Sequence, residues 1–96
     1  MASFELTGEA ERDLAGIYSY SYREFGRRQA DRYFLSIDDC LSRLAENPDI
    51  GRSIADLRDG YFRYEHASHV IFYVRTDSGI RVVRILHQRM DPARNL

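Results

Sequence analysis

The chain has 96 residues, 44% of them hydrophobic and 30% charged, with 15 acids, 14 bases and a formal net charge of −1. A chain this long buries roughly 60–65% of the surface its unfolded form exposes, so one domain spanning residues 1–96 is expected and a wholly disordered chain is not. A near-neutral total argues against a protein that lives on nucleic acid, and no window approaches the ~20 apolar residues of a membrane span.

Two further readings follow from composition. The single cysteine, Cys40, can form no internal disulfide and no cysteine zinc site, which fits a reducing, cytoplasmic setting. The segment Met1-Ala2-Ser3-Phe4-Glu5 shows no basic stretch leading into an apolar run, so no signal peptide is expected. All 14 bases are arginine. Either a GC-rich genome explains this, or arginine forks are wanted for carboxylates and planar partners. Residues 1–48 hold nine acids and six arginines; residues 49–96 hold six acids and eight arginines, so the C-terminal half is the more basic.

Ser3-Phe4-Glu5-Leu6 alternates polar and apolar and predicts a short strand. Thr7 is a helix N-cap, with Glu9 and Glu11 placed where acids favour the helix dipole. Ala10, Leu14, Ile17, Tyr18, Ser21 and Phe25 then recur at helical spacing, and Gly26 ends the run. A second stripe, Ala30, Phe34, Ile37, Leu41 and Leu44, predicts a helix over 27–46 that stops at Asn47-Pro48. With one glycine between them, the two helices should form an antiparallel hairpin.

Residues 49–59 read as a loop. Tyr61 to His66 alternates, His69 to Arg75 is an almost continuous apolar run, Asp77-Ser78-Gly79 is a hairpin connection, and Ile80 to Leu86 is a last strand. The expected fold class is α+β with order β-α-α-β-β-β, a helical hairpin on one face of a mainly antiparallel four-stranded sheet. The last two strands are apolar on both sides: Val70, Phe72 and Val74 against Ile71 and Tyr73, then Val83 and Ile85 against Val82 and Leu86, with Arg84 between the latter two. One hairpin covers one face. The other awaits a partner, or is covered by the loop 47–60 and the C-terminus.

His66, His69 and His87 are the neutral-pH proton carriers, with Glu65 as a candidate base and Arg63, Arg84 and Arg89 as candidate phosphate clamps. A small ribonuclease could be assembled from these parts, and so could an ordinary half-exposed strand surface. His66-x-x-His69 with Cys40 or Asp91 lacks spacing that requires a metal, and no cofactor motif is present. Cys40 lies on the second helical stripe and reads as a small buried hydrophobe.

Several segments together resemble one family. They are Phe4-Glu5-Leu6-Thr7-x-x-Ala10-x-x-Asp13-Leu14-x-x-Ile17-x-x-Tyr20, Phe25-Gly26-x-x-Gln29-Ala30-x-x-Tyr33, Leu44-Ala45-x-x-Pro48-x-x-Gly51-Arg52, Leu57-Arg58-x-Gly60-x-x-Arg63, His69-Val70-Ile71-Phe72-Tyr73 and Ile85-Leu86-His87-Gln88-Arg89-Met90-Asp91. In order and over nearly the whole chain they resemble the RelE/ParE toxin superfamily, and the ending is typical of its ParE branch. The resemblance implies a type II toxin that acts by binding, with DNA gyrase as target, no enzymatic activity, no cofactor and no direct contact with nucleic acid. It also implies neutralisation by a ParD-like antitoxin within a heterotetramer or larger complex. The alternative is a RelE-like ribosome-dependent mRNA endonuclease. The absence of lysine and the charge of −1 weigh against it, since phosphate contacts dominate affinity for RNA. On this reading Arg58, Arg63, Val82, Arg84 and Leu86 form the antitoxin-binding face. His87, Gln88, Arg89, Met90 and Asp91 form the segment that engages the target.

Overall fold

The computed structural model describes residues 2–96. Its element order is β1 (Ser3–Leu6), α1 (Gly8–Phe25), α2 (Arg27–Glu46), β2 (Arg52–Ser53), β3 (Tyr61–His66), β4 (His69–Thr76), β5 (Gly79–His87) and α3 (Pro92–Asn95), with a single 3₁₀ turn at Pro48–Ile50. The strands form one sheet in the order β1-β5-β4-β3-β2. β1 runs parallel to β5, with Phe4 opposite Ile80 and Leu6 opposite Val82, and the other pairings are antiparallel.

The helices form where the apolar spacing demands. The N-cap Thr7 accepts the Ala10 amide through Oγ1 and donates from the same oxygen to the Val83 carbonyl, so one side chain ties the start of α1 to the edge of β5. At Gly26 the backbone has φ +87°, which lets α1 end and α2 begin within one residue. The inner faces of the hairpin pack on Ile71, Tyr73, Ile80, Val82 and Ile85 of the sheet, with Ala10, Ile37, Leu41 and Leu44 as their buried partners. Cys40 sits in the same core and burial pushes its thiol up, which suits an inert packing residue.

Two expectations are corrected. The sheet has five strands, because Arg52 and Ser53 pair with Arg63 and Phe62 inside the segment read as a loop. A two-residue strand is too short to leave a periodic trace. The second correction concerns the faces of β5. The β4–β5 register shifts between Phe72, opposite Arg84, and Tyr73, opposite Val82, which leaves Val83 as an extra residue. Such a bulge reverses the alternation. Val82 therefore joins Ile85 under the helices, and Leu86 lies on the opposite face with Val70 and Phe72.

That opposite face is covered from within. Ile54 and the partly buried Tyr61 and Leu96 pack over Val70, Phe72 and Leu86, which are all at most 4% exposed. The loop and the C-terminal α3 segment thus supply the cover that the alternation left open.

Candidate functional site

A concavity lies at the β5 end of the hairpin, between α1, the start of α2, and the strand ends that carry His69 and His87. It encloses about 750 Å³. Its apolar wall is Ile17, Tyr20, Phe25, Tyr33, Ile85 and Met90. Three of these, Tyr20 (56%), Phe25 (66%) and Met90 (41%), are the large apolar side chains that the chain leaves exposed around the groove. The helical periodicity placed Phe25 on the inner stripe. The helix ends at Phe25, however, and the ring swings out at the mouth of the groove.

The polar wall is Arg12, Asp13, Gln29, Ser68, His69 and His87, together with the buried Ser21. Asp13 is fully engaged. Its carboxylate accepts two hydrogen bonds from Arg84, at 2.7 and 2.9 Å, and the Ile85 amide at 2.9 Å. Beyond Val82 the edge of β5 has no strand neighbour, and Asp13 on α1 satisfies the amide that would otherwise be orphaned there. Arg84 also donates to the Asn95 carbonyl and approaches Glu9. The Asp13 hydrogen bonds hold its guanidinium protonated more firmly than usual. Arg84 is thus a fastener between β5, α1 and α3.

Register places His66, His69 and His87 in one row across β3, β4 and β5, on the side that faces α2. Tyr33 Oη lies 2.7 Å from His69 Nδ1, and Ser36 Oγ lies 3.0 Å from His66 Nε2. The rings of His69 and His87 meet edge to face with centroids 5.4 Å apart. Burial pushes the His69 imidazole below its ordinary value, and the neighbouring His87 and His66 push it the same way. Burial, then Arg43, lowers His66, with Asp39 opposing. Burial raises the Tyr33 phenol.

A second row crosses the other face: Arg52, Arg63, Phe72 and Arg84 stand opposite one another on β2 to β5. Arg63 lies over the Phe72 ring at 5.8 Å, and its Nε is buried with no hydrogen-bond partner among the described residues. Its nearest anion is Glu65, at 3.5 Å. Arg58 lies over Tyr61 at 5.3 Å.

The geometry sorts the residues singled out in the sequence. Glu65 and His87 lie on opposite faces of the sheet, so that acid–base pair is not brought together. Arg84 is tied to Asp13, and Val82 and Leu86 are buried, leaving Arg58 and Arg63 as the accessible members of the proposed antitoxin face. His87 to Asp91 forms a tight turn held by the Gln88 amide on the Ser68 carbonyl and the Met90 amide on the His87 carbonyl. Asp91 caps α3 through the Ala93 amide. Among the described residues no group of three histidine, cysteine or acidic side chains is placed to hold a metal ion. The sequence reading missed the groove itself. Its one signal was Tyr20 and Phe25 near Gly26: Tyr20 lies off the helical stripe, and periodicity had absorbed Phe25 into the packing.

Solved structures share this architecture. A chain of "Chromosomal ParDE TA system from P. aeruginosa" superposes with a TM-score of 0.75 at 20% identity, over 91% of this chain and 96% of that one. A chain of "YoeB-YefM complex from Staphylococcus aureus" follows at 0.59 and 15%, over 91% and 97%. The fold is therefore that of chains found in toxin–antitoxin complexes.

Sequence similarity narrows the class. Residues 4–92 match the family described as ParE toxin of type II toxin-antitoxin system, parDE. "Toxin ParE1" of Mycobacterium tuberculosis is 41% identical over 92 residues, which is 95% of this chain and 94% of the relative. "Toxin ParE1" of Caulobacter vibrioides is 34% identical over 96 residues, covering 100% and 99%, and "Toxin ParE" of Escherichia coli is 35% identical over 92 residues, covering 95% and 89%. The chain belongs to the ParE toxin family of type II toxin–antitoxin systems.

Proposed function

We propose that this ParE-family toxin acts by binding rather than by catalysis, that DNA gyrase is its target, and that a ParD-like antitoxin neutralises it by filling the groove between α1 and the end of β5. The observation that carries the antitoxin reading is the groove: Tyr20, Phe25 and Met90 stand exposed around a concavity beside an otherwise well-covered sheet. Apolar side chains displayed in this way suit the apolar stripe of an amphipathic segment. Relatives bearing the ParE name and a structure titled as a ParDE system support the same partner class.

An antitoxin segment that runs on past β5 meets Arg58 and Arg63 on the opposite face, where its carboxylates can pair with guanidinium forks. Val82, Arg84 and Leu86 contribute from inside, by holding β5 in place. The turn from His87 to Asp91 is the segment for the target, because Gln88, Arg89, Met90 and Asp91 are all exposed on it. The separation of Glu65 from His87 supports a non-enzymatic action.

Induction of the chain without antitoxin tests this reading. Filamentation with a DNA-damage response, and inhibition of purified gyrase, are the expected results. Rapid arrest of translation with cleaved messenger RNA would instead establish the ribonuclease reading. Replacing Gln88 and Arg89 by alanine should abolish toxicity while antitoxin binding survives, and a double variant that still kills would overturn the assignment of that turn.

A further inference from the structure

The histidine row has a chemical consequence at the groove. The Arg89 amide donates to His87 Nδ1 at 3.2 Å, so the proton of that neutral ring resides on Nε2. The half-buried Tyr33 hydroxyl lies 2.7 Å from His69 Nδ1, and the tautomer of the ring sets which of the two donates. Both rings line the groove together with Arg12, which forms no ion pair among the described residues. The carboxylate in the groove wall, Asp13, is already taken by Arg84 and the Ile85 amide. This end of the groove therefore brings the Arg12 guanidinium and two imidazoles together beside an apolar wall, with its one carboxylate already engaged.

Resting on the reading of the groove as the antitoxin's seat, we propose that His69, His87 and Arg12 receive a carboxylate borne by the antitoxin segment, so that forming the complex takes up a proton and antitoxin affinity rises as pH falls toward 6. In the free chain the row resists charging: His69 is hemmed in by His66 from β3 and His87 from β5. The other titratable or charged groups around the row are the neutral Tyr33 phenol, Arg43 and Asp39 of α2, Arg12 and the engaged Asp13 of α1, and Arg89 of the turn. Asp39 lies 3.5 Å from Arg43, so the row has no uncommitted anion of its own. A carboxylate brought in by a partner supplies the missing opposite charge and favours the protonated ring. Proton uptake and tighter binding at lower pH are then the same fact, by linkage.

Calorimetric titration of the full chain with the antitoxin encoded in the adjoining reading frame, from pH 8 to pH 6 in two buffers of different ionisation enthalpy, tests this. The expected result is net proton uptake and roughly five- to tenfold tighter binding at pH 6, since each tenfold step corresponds to one fully coupled proton per pH unit. His69→Gln with His87→Gln should remove both the uptake and the pH dependence. Should His69→Gln disturb folding, His87→Gln alone should still reduce the uptake, since its ring nitrogen bonds only to an exposed turn amide. Binding that is tight but independent of pH, or a pH dependence that survives in the double variant, overturns the inference alone. No binding at any pH overturns the docking reading and the inference with it.

Discussion

Two rows of basic side chains cross the same sheet on opposite faces, and they are handled in opposite ways. The histidine row is roofed by α2: Tyr33 and Ser36 bond to His69 and His66, and burial keeps these rings neutral. The arginine row cannot become neutral, since a guanidinium stays charged in proteins. Its inner member, Arg84, is neutralised by Asp13, and its outer members, Arg63 and Arg52, stand directly opposite each other with only Glu65 nearby. Like charges facing each other across two strands are unfavourable. One row thus adapts by its protonation state and the other by its neighbours.

Removing Asp13 breaks the comparison most severely. Asp13→Ala leaves Arg84 largely buried without its carboxylate and the Ile85 amide without an acceptor, so a loss of about 3–5 kcal/mol is expected in urea denaturation. A loss below about 1 kcal/mol would mean that Arg84 relaxes into solvent and the row is not anchored there. Next in size is Gly51→Ala. A methyl group at Gly51 runs into the Tyr73 ring and hydroxyl, which donates to the Pro48 carbonyl, and roughly 1–3 kcal/mol should be lost.

Acid sharpens the contrast at the histidine row. His69 and His66 have lowered folded-state values, so their contribution to stability is present above the unfolded pKa of about 6.5 and is lost as pH falls through the folded value. The free chain should therefore melt at a lower temperature at pH 5 than at pH 7.5. Part of that slope should vanish in His69→Gln, and an identical slope in the variant would remove His69 from the account. The smallest effect runs the other way. Arg52→Thr relieves the like-charge pair and should stabilise the free chain by roughly 0.2–1 kcal/mol, read as a rise in melting temperature. The same substitution should weaken antitoxin binding if the arginines serve the partner.

Much of the fold was legible before the structure. The spacing of Ala30, Ile37, Leu41 and Leu44 defined α2 as it stands, and Thr7 and Gly26 marked the ends of α1. The two faces of β5 were not legible, because a bulge leaves no mark in the hydrophobic pattern: Val82 and Leu86 are two turns of an alternation that Val83 interrupts. The cover over Val70 and Phe72 was open for a related reason. Ile54 and Leu96 are isolated apolar residues in irregular segments, where no period identifies a packing partner. Of the candidate site, each histidine was visible, but their alignment in one row depends on strand register, which pairing alone determines.

The parallel pairing of β1 with β5 bears on when this toxin comes into being. Ser3 to Leu6 leave the ribosome well before their partners, Gly79 to Val82. The first strand must therefore wait, unpaired, through the synthesis of both helices and three other strands. Contacts this distant in sequence make for slow completion of a fold. During translation the helical hairpin can form from local contacts, but the edge of β5 that Thr7 and Asp13 seal does not yet exist. The finished groove, and with it the surface proposed for the antitoxin, thus arises only once β5 and the turn after it have been made.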